Sequence, residues 1–215
     1  MKRLLKEQRI IKTYANYVGN RNLVIGCGIG SEIRNLAGIF PCTEFVGIDP
    51  LLETDLSGKN WSTTNGRAEN LNFRDEEFDF IYCYHVLEHV QDTYKVMNEL
   101  KRVVKIKGAI FIGVPNKSRI VSYISSEAKL KEKLLWNLND YQMKLRGKFE
   151  NSLGAHAGFT KMELENLFTN QGFDFIDVTN NYYFNLYNSR ILRKIIKYQA
   201  ISRFLLPSLY YIAKK

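Results

Sequence analysis

Leu23-Val24-Ile25-Gly26-Cys27-Gly28-Ile29-Gly30-Ser31 is the stretch on which the fold turns. Three apolar residues running into closely spaced glycines read as a short buried strand ending in a tight loop, and Ser31 to Ala37 then reads as a helix. Glycines in such a loop let the backbone approach a ligand, and the next helix presents N–H groups without helical partners. Phe45-Val46-Gly47-Ile48 is a second strand that ends at Asp49-Pro50, 23 residues after Gly26. A carboxylate at that place can accept hydrogen bonds from a ribose diol. The glycines run G-x-G-x-G, and Ser31 stands where the dinucleotide fingerprint has its third glycine. The spacing therefore favours a nucleoside ligand without a pyrophosphate over NAD.

Outward from this stretch, strands alternate with helices, which indicates a largely parallel sheet. Phe78 to Tyr84, Ala109 to Val114, Phe173 to Val178 and Leu209 to Ala213 read as strands. Asp92 caps a helix on which Val96, Met97, Leu100, Val103 and Val104 recur at helical spacing. Lys105 and Lys107 suit the C-terminal end of that helix, with Gly108 as its stop. Thr160-Lys161-Met162-Glu163 is a capping box opening a helix that carries Leu164, Leu167 and Phe168 and ends at Gly172.

Three segments lie outside this alternation. Residues 2–18 read as an amphipathic helix with Leu5, Ile10, Ile11, Tyr14, Tyr17 and Val18 on its apolar face. From Lys117 to Gly158 the pattern loosens into a cap-like insertion, in which Leu130, Leu134, Leu135 and Trp136 suggest one helix. Residues 187–205 read as a basic amphipathic helix. Tyr187, Ile191, Leu192, Ile195, Ile196 and Tyr198 share one face, Arg190, Arg193, Lys194 and Lys197 the other, and Pro207 breaks it.

The 215 residues are enough for one domain with a full core, and 45% hydrophobic with 25% charged residues is ordinary for a globular protein. Lys and Arg number 31 against 22 Asp and Glu, a net charge of +9 that favours anionic partners without choosing among them. Cys27, Cys42 and Cys83 are an odd number without metal-ligand spacing, so no metal and a reduced cytoplasm are expected. No signal peptide and no membrane-spanning run is visible. The basic helix at 187–205 adds peripheral contact with an anionic membrane as an expectation.

These motifs, in this order, resemble the class I methyltransferases that use S-adenosylmethionine (SAM), in particular the type 11 domain, with some similarity to quinone-pathway O-methyltransferases. Val24 to Gly30 is similar to their first motif and Gly47-Ile48-Asp49 to their acidic second motif. Gly66 to Leu71 and Phe78-Asp79-Phe80-Ile81 resemble the third-strand loop and the fourth strand, and Val86-Leu87-Glu88-His89-Val90 the segment after it. Leu100 to Gly108 resembles the stretch before strand five. The resemblance implies a single Rossmann-like domain over 1–215, with a seven-stranded, mostly parallel sheet, helices on both faces and the last strand antiparallel. It also implies SAM as cofactor and S-adenosylhomocysteine as product.

Site residues follow from the resemblance. Gly26, Cys27, Gly28 and Gly30 would surround the methionine end and ribose, Asp49 would bind the ribose hydroxyls, and Pro50 would border the adenine. Ala68 and Glu69 would lie at the adenine edge, and Tyr84 and His85 beside the methionine part. Arg67 stands where the family usually has an Asp, so Glu69 is expected to take over its contact. Asp49 and Gly66 are 17 positions apart, so the intervening helix is expected to be short or absent. Of the histidines, His156 is the candidate base, since an acceptor hydroxyl or amine can need one. His89 is read as a packing or hydrogen-bonding residue at a helix entry. The expected acceptor is a small molecule or is glycan- or lipid-linked. Competing readings are an NAD oxidoreductase, a non-catalytic SAM-binding subunit and a nucleic-acid methyltransferase. Cys83-Tyr84-His85-Val86 lacks the Pro-Pro-Tyr pattern of DNA amino-methylating enzymes, so nucleic acid is not the expected partner.

Overall fold

The computed structural model describes residues 10–120, 122, 129–153, 155–187 and 204–215. Along the chain run β1 (Arg21–Ile25), α1 (Ser31–Ile39), β2 (Glu44–Asp49), β3 (Trp61–Asn65), β4 (Phe78–Tyr84), α2 (Thr93–Val103) and β5 (Val104–Pro115). Then follow α3 (Leu130–Leu145), α4 (Lys161–Asn170), β6 (Asp174–Asp177), α5 (Thr179–Leu186) and β7 (Ser208–Lys214). The strands form one seven-stranded sheet in the order β3-β2-β1-β4-β5-β7-β6. The first five pair in parallel, and β7 lies antiparallel between β5 and β6. This is the expected Rossmann-like sheet with its last strand reversed.

Strand side chains alternate between two covered faces, which is why the central strands are apolar throughout rather than every second residue. Leu23, Ile25, Ile81, Cys83, Ile110 and Ile112 point to a core shared with α2 and α4 through Met97, Leu100, Leu164 and Phe168. Val24, Phe80, Tyr82, Phe111 and Ile212 point to the opposite core with Ile33, Leu36, Tyr14 and Tyr182. The polar exception is buried Asn22, whose amide donates to the carbonyls of Gly19 and Glu44 and accepts from Gly19 N–H, so its burial leaves nothing unpaired.

Asp92 caps α2 by accepting from Lys95 N–H, and Thr160 and Glu163 form the capping box of α4, both as the sequence indicates. The stretch between β2 and Gly66 contains no helix, also as expected. Other expectations need correction. The α2 helix stops at Val103 and β5 begins at Val104, so Lys105, Lys107 and Gly108 belong to the strand. Phe78 pairs with Val104 but Phe80 with Ala109, so the intervening residues bulge out. Lys107 takes a φ of 67° there, and Lys105 bonds Asp79 at 2.7 Å. Gly108 is needed because a Cβ would meet the Asp79 carbonyl at 2.9 Å. Within 2–18, residues 2–9 lie outside the described residues. The rest is one helical turn at Ile10–Ile11, then turns and a 3-10 segment at Ala15–Tyr17. The expected helix at 187–205 falls almost wholly outside the described residues. Only its ends are visible: extended Tyr187, and Phe204 and Leu205 in a helical turn.

Two arginines tie irregular backbone to this frame. From α2, Arg102 donates to the carbonyls of Leu71 (2.8 Å) and Phe73 (2.7 Å), to Asp75, and through two nitrogens to Glu99, which itself accepts from Leu71 N–H. The segment after β3 is thereby pinned. In the insertion, buried Arg119 donates to the carbonyls of Asn116, His156 and Ala157 and to the Asp140 carboxylate of α3, with Phe149 against its guanidinium. Residues 129–153 are thus docked by a buried ion pair.

The Arg102 hydrogen bond is the largest influence on Glu99 and holds its carboxyl below the usual carboxylate range, against the opposing effect of burial. Arg102→Met should lower stability at neutral pH by about 1–3 kcal/mol, as buried carbonyls lose their donor. A carboxyl depressed in the folded state contributes stability above its unfolded pKa and loses it as pH falls through the folded value. Urea unfolding across pH should therefore show the gap between wild type and variant narrowing below the ordinary carboxylate range. A gap constant with pH would contradict the assignment.

Candidate active site

The parallel strands β1, β2 and β4 end together, and their loops converge beyond that edge. Gly26 and Cys27 both donate their N–H groups to the Ile48 carbonyl, at 2.9 and 3.1 Å. Gly28 N–H then donates to Asp49 Oδ2 at 2.9 Å, and Leu51 N–H to Oδ1 at 2.9 Å. The Asp49 carboxylate is therefore fixed by main chain on both oxygens. Each carboxylate oxygen retains capacity for a further donor. Gly26, Gly28 and Gly30 have φ of 72°, 51° and 83°, values that side chains other than glycine disfavour. A Cβ on Gly26 would lie 2.6 Å from the Val86 side chain, so glycine lets the first loop meet the loop after β4. A Cβ on Gly28 would meet nothing within 4 Å, because that face of the loop is open.

Cys27 takes a different place from the other loop residues. Its side chain is buried beneath β2, where a Cβ on Gly47 would stand 2.9 Å from its Sγ. Burial, helped by the nearby Asp49 charge, pushes the thiol up to about 12. Only its main chain can face a ligand. Pro50 is exposed, and Ile29 in the first loop and Leu51 after β2 leave 78% and 86% of their surfaces open, apolar side chains on the two loops joined through Asp49. Sequence reasoning missed both, because a loop has no periodicity to mark which side chains share a wall.

Ala68 is buried among Ile48, Leu71 and Leu87. Glu69 accepts from Gln91 N–H at 3.4 Å and lies 3.3 Å from Arg67. Burial tends to raise its pKa, but these hydrogen bonds and the Arg67 charge hold it below the usual value. The unexpected Arg67 thus restrains the carboxylate two residues on.

At the end of β4, Tyr84 is half-buried in a stack with Tyr82 and Tyr210, and burial raises its hydroxyl pKa. His85 has a left-handed backbone, φ 54°, and its N–H donates to the Gly113 carbonyl at 2.8 Å. Its Nδ1 is 3.0 Å from Oε1 of buried Glu88, whose Oε2 has no hydrogen-bond partner among the described residues. A carboxylate on Nδ1 selects the tautomer that leaves Nε2 free. His89, read from sequence as a packing or hydrogen-bonding residue, is exposed, and its ring centroid is 4.7 Å from that of exposed His156. The insertion thus brings the candidate base against the loop after β4. Nothing in the sequence pairs these two histidines, since they are 67 positions apart. Among the described residues no cluster fit for a metal ion occurs.

Residues 23–112 match the family model described as a methyltransferase domain. The chain is 30% identical over 159 residues to the ubiquinone biosynthesis O-methyltransferase of Pseudomonas putida, covering 69% of this chain and 67% of that protein. The corresponding enzyme of Paraburkholderia phymatum is 33% identical over 122 residues, 53% of this chain and 52% of that protein. Across most curated matches, the shared stretch is about half of the relative's length or less. In fold, the structure is similar to YcgJ of Bacillus subtilis, with a TM-score of 0.58 at 17% identity over 97% of this chain and 99% of that one. The glycine loop fixed to Asp49, the sheet order and these matches converge: the chain belongs to the class I SAM-dependent methyltransferases.

Proposed function

We propose that the chain is a single-domain enzyme that moves a methyl group from SAM to a small-molecule, glycan-linked or lipid-linked acceptor, releasing S-adenosylhomocysteine. The observation that carries this reading is the Asp49 carboxylate held by Gly28 and Leu51 N–H beside an open glycine face. That arrangement suits a nucleoside with an amino-acid tail. Gly26, Gly28, Gly30 and the main chain of Cys27 would line the tail and ribose. Asp49 would take the ribose hydroxyls, with Pro50, Leu51 and Ile29 against one side of the adenine and Ala68 and Glu69 at its edge.

When bound, the donor supplies a sulfonium methyl with a neutral thioether as leaving group. The protein's part is to bind, align and exclude water. Tyr84 and His85 stand where β4 delivers them to the mouth, with Glu88 fixing the His85 ring. An acceptor hydroxyl or amine must lose a proton, and His156, beside His89 on the rim, is the group assigned to take it.

Calorimetry tests the donor site. SAM and S-adenosylhomocysteine should bind and NAD should not. Asp49→Ala should weaken SAM by about ten- to a hundredfold, roughly 1.5–3 kcal/mol from lost ribose hydrogen bonds. Asp49→Asn, which keeps the shape and one carbonyl acceptor, should fall between. Tighter binding of NAD would overturn the reading.

The acceptor side is tested by transfer of labelled methyl from SAM into fractionated metabolites and lipids. His156→Gln should leave SAM affinity unchanged and reduce transfer by about a hundredfold or more. Full transfer by the variant would remove His156 from the chemistry while leaving the donor site intact.

A further inference from the structure

Helix α3 is inside out. Apart from Met143, which packs on Phe149, Ala155 and Ala157, the residues it turns to the domain are polar: Asp140 pairs with buried Arg119, Asn137 bonds both main-chain groups of Ser122, and Lys144 reaches the Arg119 carbonyl. Its exposed residues include an apolar row beside the polar Lys131, Glu132, Asn139 and Gln142. Leu130, Leu134, Leu138, Tyr141 and Leu145 expose 73%, 62%, 53%, 59% and 73% of their surfaces. At about 100° per residue these five fall within an arc of roughly 80°, a continuous stripe along the helix. Leu135 and Trp136 are also exposed beyond its borders. A solvent-facing helix normally shows the reverse pattern.

The rim of the stripe is basic. Lys129, Lys131, Arg146 and Lys148 are exposed at its edges, against the single exposed acid Glu132 on the helix itself, and Asp140 is neutralised internally by Arg119. Leucines flanked by lysine and arginine, with Tyr and Trp at hand, match a helix lying in the interface of an anionic bilayer. A second copy of the chain fits less well, because a two-fold contact would set this basic rim against itself. Among the described residues no helix is long and apolar enough to cross a membrane, so contact through α3 would be peripheral.

We infer that α3 docks on the surface of an anionic membrane, its leucine stripe entering the headgroup boundary and its basic rim meeting lipid phosphates. The docking surface is one side chain away from the candidate base, since Arg119 bonds both Asp140 and the His156 carbonyl. The inference stands on the helix face alone and does not require methyl transfer.

Co-sedimentation with phosphatidylcholine vesicles, with and without phosphatidylglycerol, at low and high salt, tests it. The full chain should pellet with the anionic vesicles and be released in part by salt. Leu134→Glu combined with Leu138→Glu, both at exposed positions, should keep SAM affinity and circular dichroism unchanged. It should weaken vesicle binding at least about a hundredfold, the effect of losing two inserted leucines. Lys131→Gln with Arg146→Gln should mainly flatten the salt dependence. The inference is overturned if the wild type stays in solution or if the double leucine variant binds like wild type. It is equally overturned if binding is lost only on Arg193→Gln with Lys194→Gln. A lipid-free dimer in sedimentation equilibrium, abolished by the leucine variant, would assign the stripe to a second copy instead.

Discussion

The convergence of Gly26 and Cys27 N–H on the Ile48 carbonyl, followed by Gly28 N–H on Asp49, is the constraint on which the molecule depends. It closes the turn out of β1 against the end of β2, so the ligand-facing loop is welded to the neighbouring strand. The geometry has steric preconditions. Gly26 must lack a side chain to clear Val86, and Gly47 must lack one to admit the Cys27 side chain beneath the sheet. A larger residue at Gly26 would push the first loop from the loop after β4, and one at Gly47 would push Cys27 and its loop from β2. Sheet packing and site geometry are here one problem, solved by one glycine in the loop after β1 and one within β2.

Irregular backbone around this centre raises a second problem, since buried carbonyls need donors. Arg102 and Arg119 solve it in the same way at two places. Each spreads a guanidinium fork over carbonyls of a non-repetitive segment and is anchored by a carboxylate on a helix, Glu99 in α2 and Asp140 in α3. Arginine is suited to this because its donors diverge in a plane while its charge is balanced at one edge. Two of the 31 basic side chains are therefore internal scaffolding, balanced by their own carboxylates, and the +9 surplus is carried by others. The surplus along α3 is different in kind, because it lies exposed beside apolar side chains.

What the sequence revealed and what it hid divide along physical lines. Strands β1, β2 and β4 are legible because each carries a run buried on both faces, residues 23–25, 45–48 and 80–83, made of apolar residues and Gly47. The α4 helix was legible because its capping box is a local hydrogen-bond pattern. The edge strand β3, Trp61-Ser62-Thr63-Thr64-Asn65, has one fully buried residue and gave no pattern to read. The α2–β5 junction was misread because Lys105 and Lys107 look like helix-ending residues, whereas tertiary pairing of Lys105 with Asp79 makes them a bulge. In the site, the glycine loop and Asp49 could be read from spacing. The inward turn of Cys27, the exposure of Ile29 and Leu51, and the meeting of His89 with His156 could not, since each depends on distant segments.

Local departures from relaxed structure gather at the mouth. Of the described residues other than glycine with positive φ, Glu76 and Lys107 belong to a turn and a bulge, while His85 follows β4 and His156 lies in the insertion against His89. Glu88, the buried side chain left with an unpaired oxygen, sits under the same loop and bonds His85. Such positions cost stability and persist only where surrounding packing over-determines them. That packing is present: Leu87 is fully buried beside Glu88, the Gly113 carbonyl accepts from His85 N–H, and the Arg119 guanidinium donates to the His156 carbonyl. The three-layer sandwich therefore does more than carry the loops. Its well-packed strands absorb the strain of holding the left-handed His85 and the buried Glu88 carboxylate just after β4.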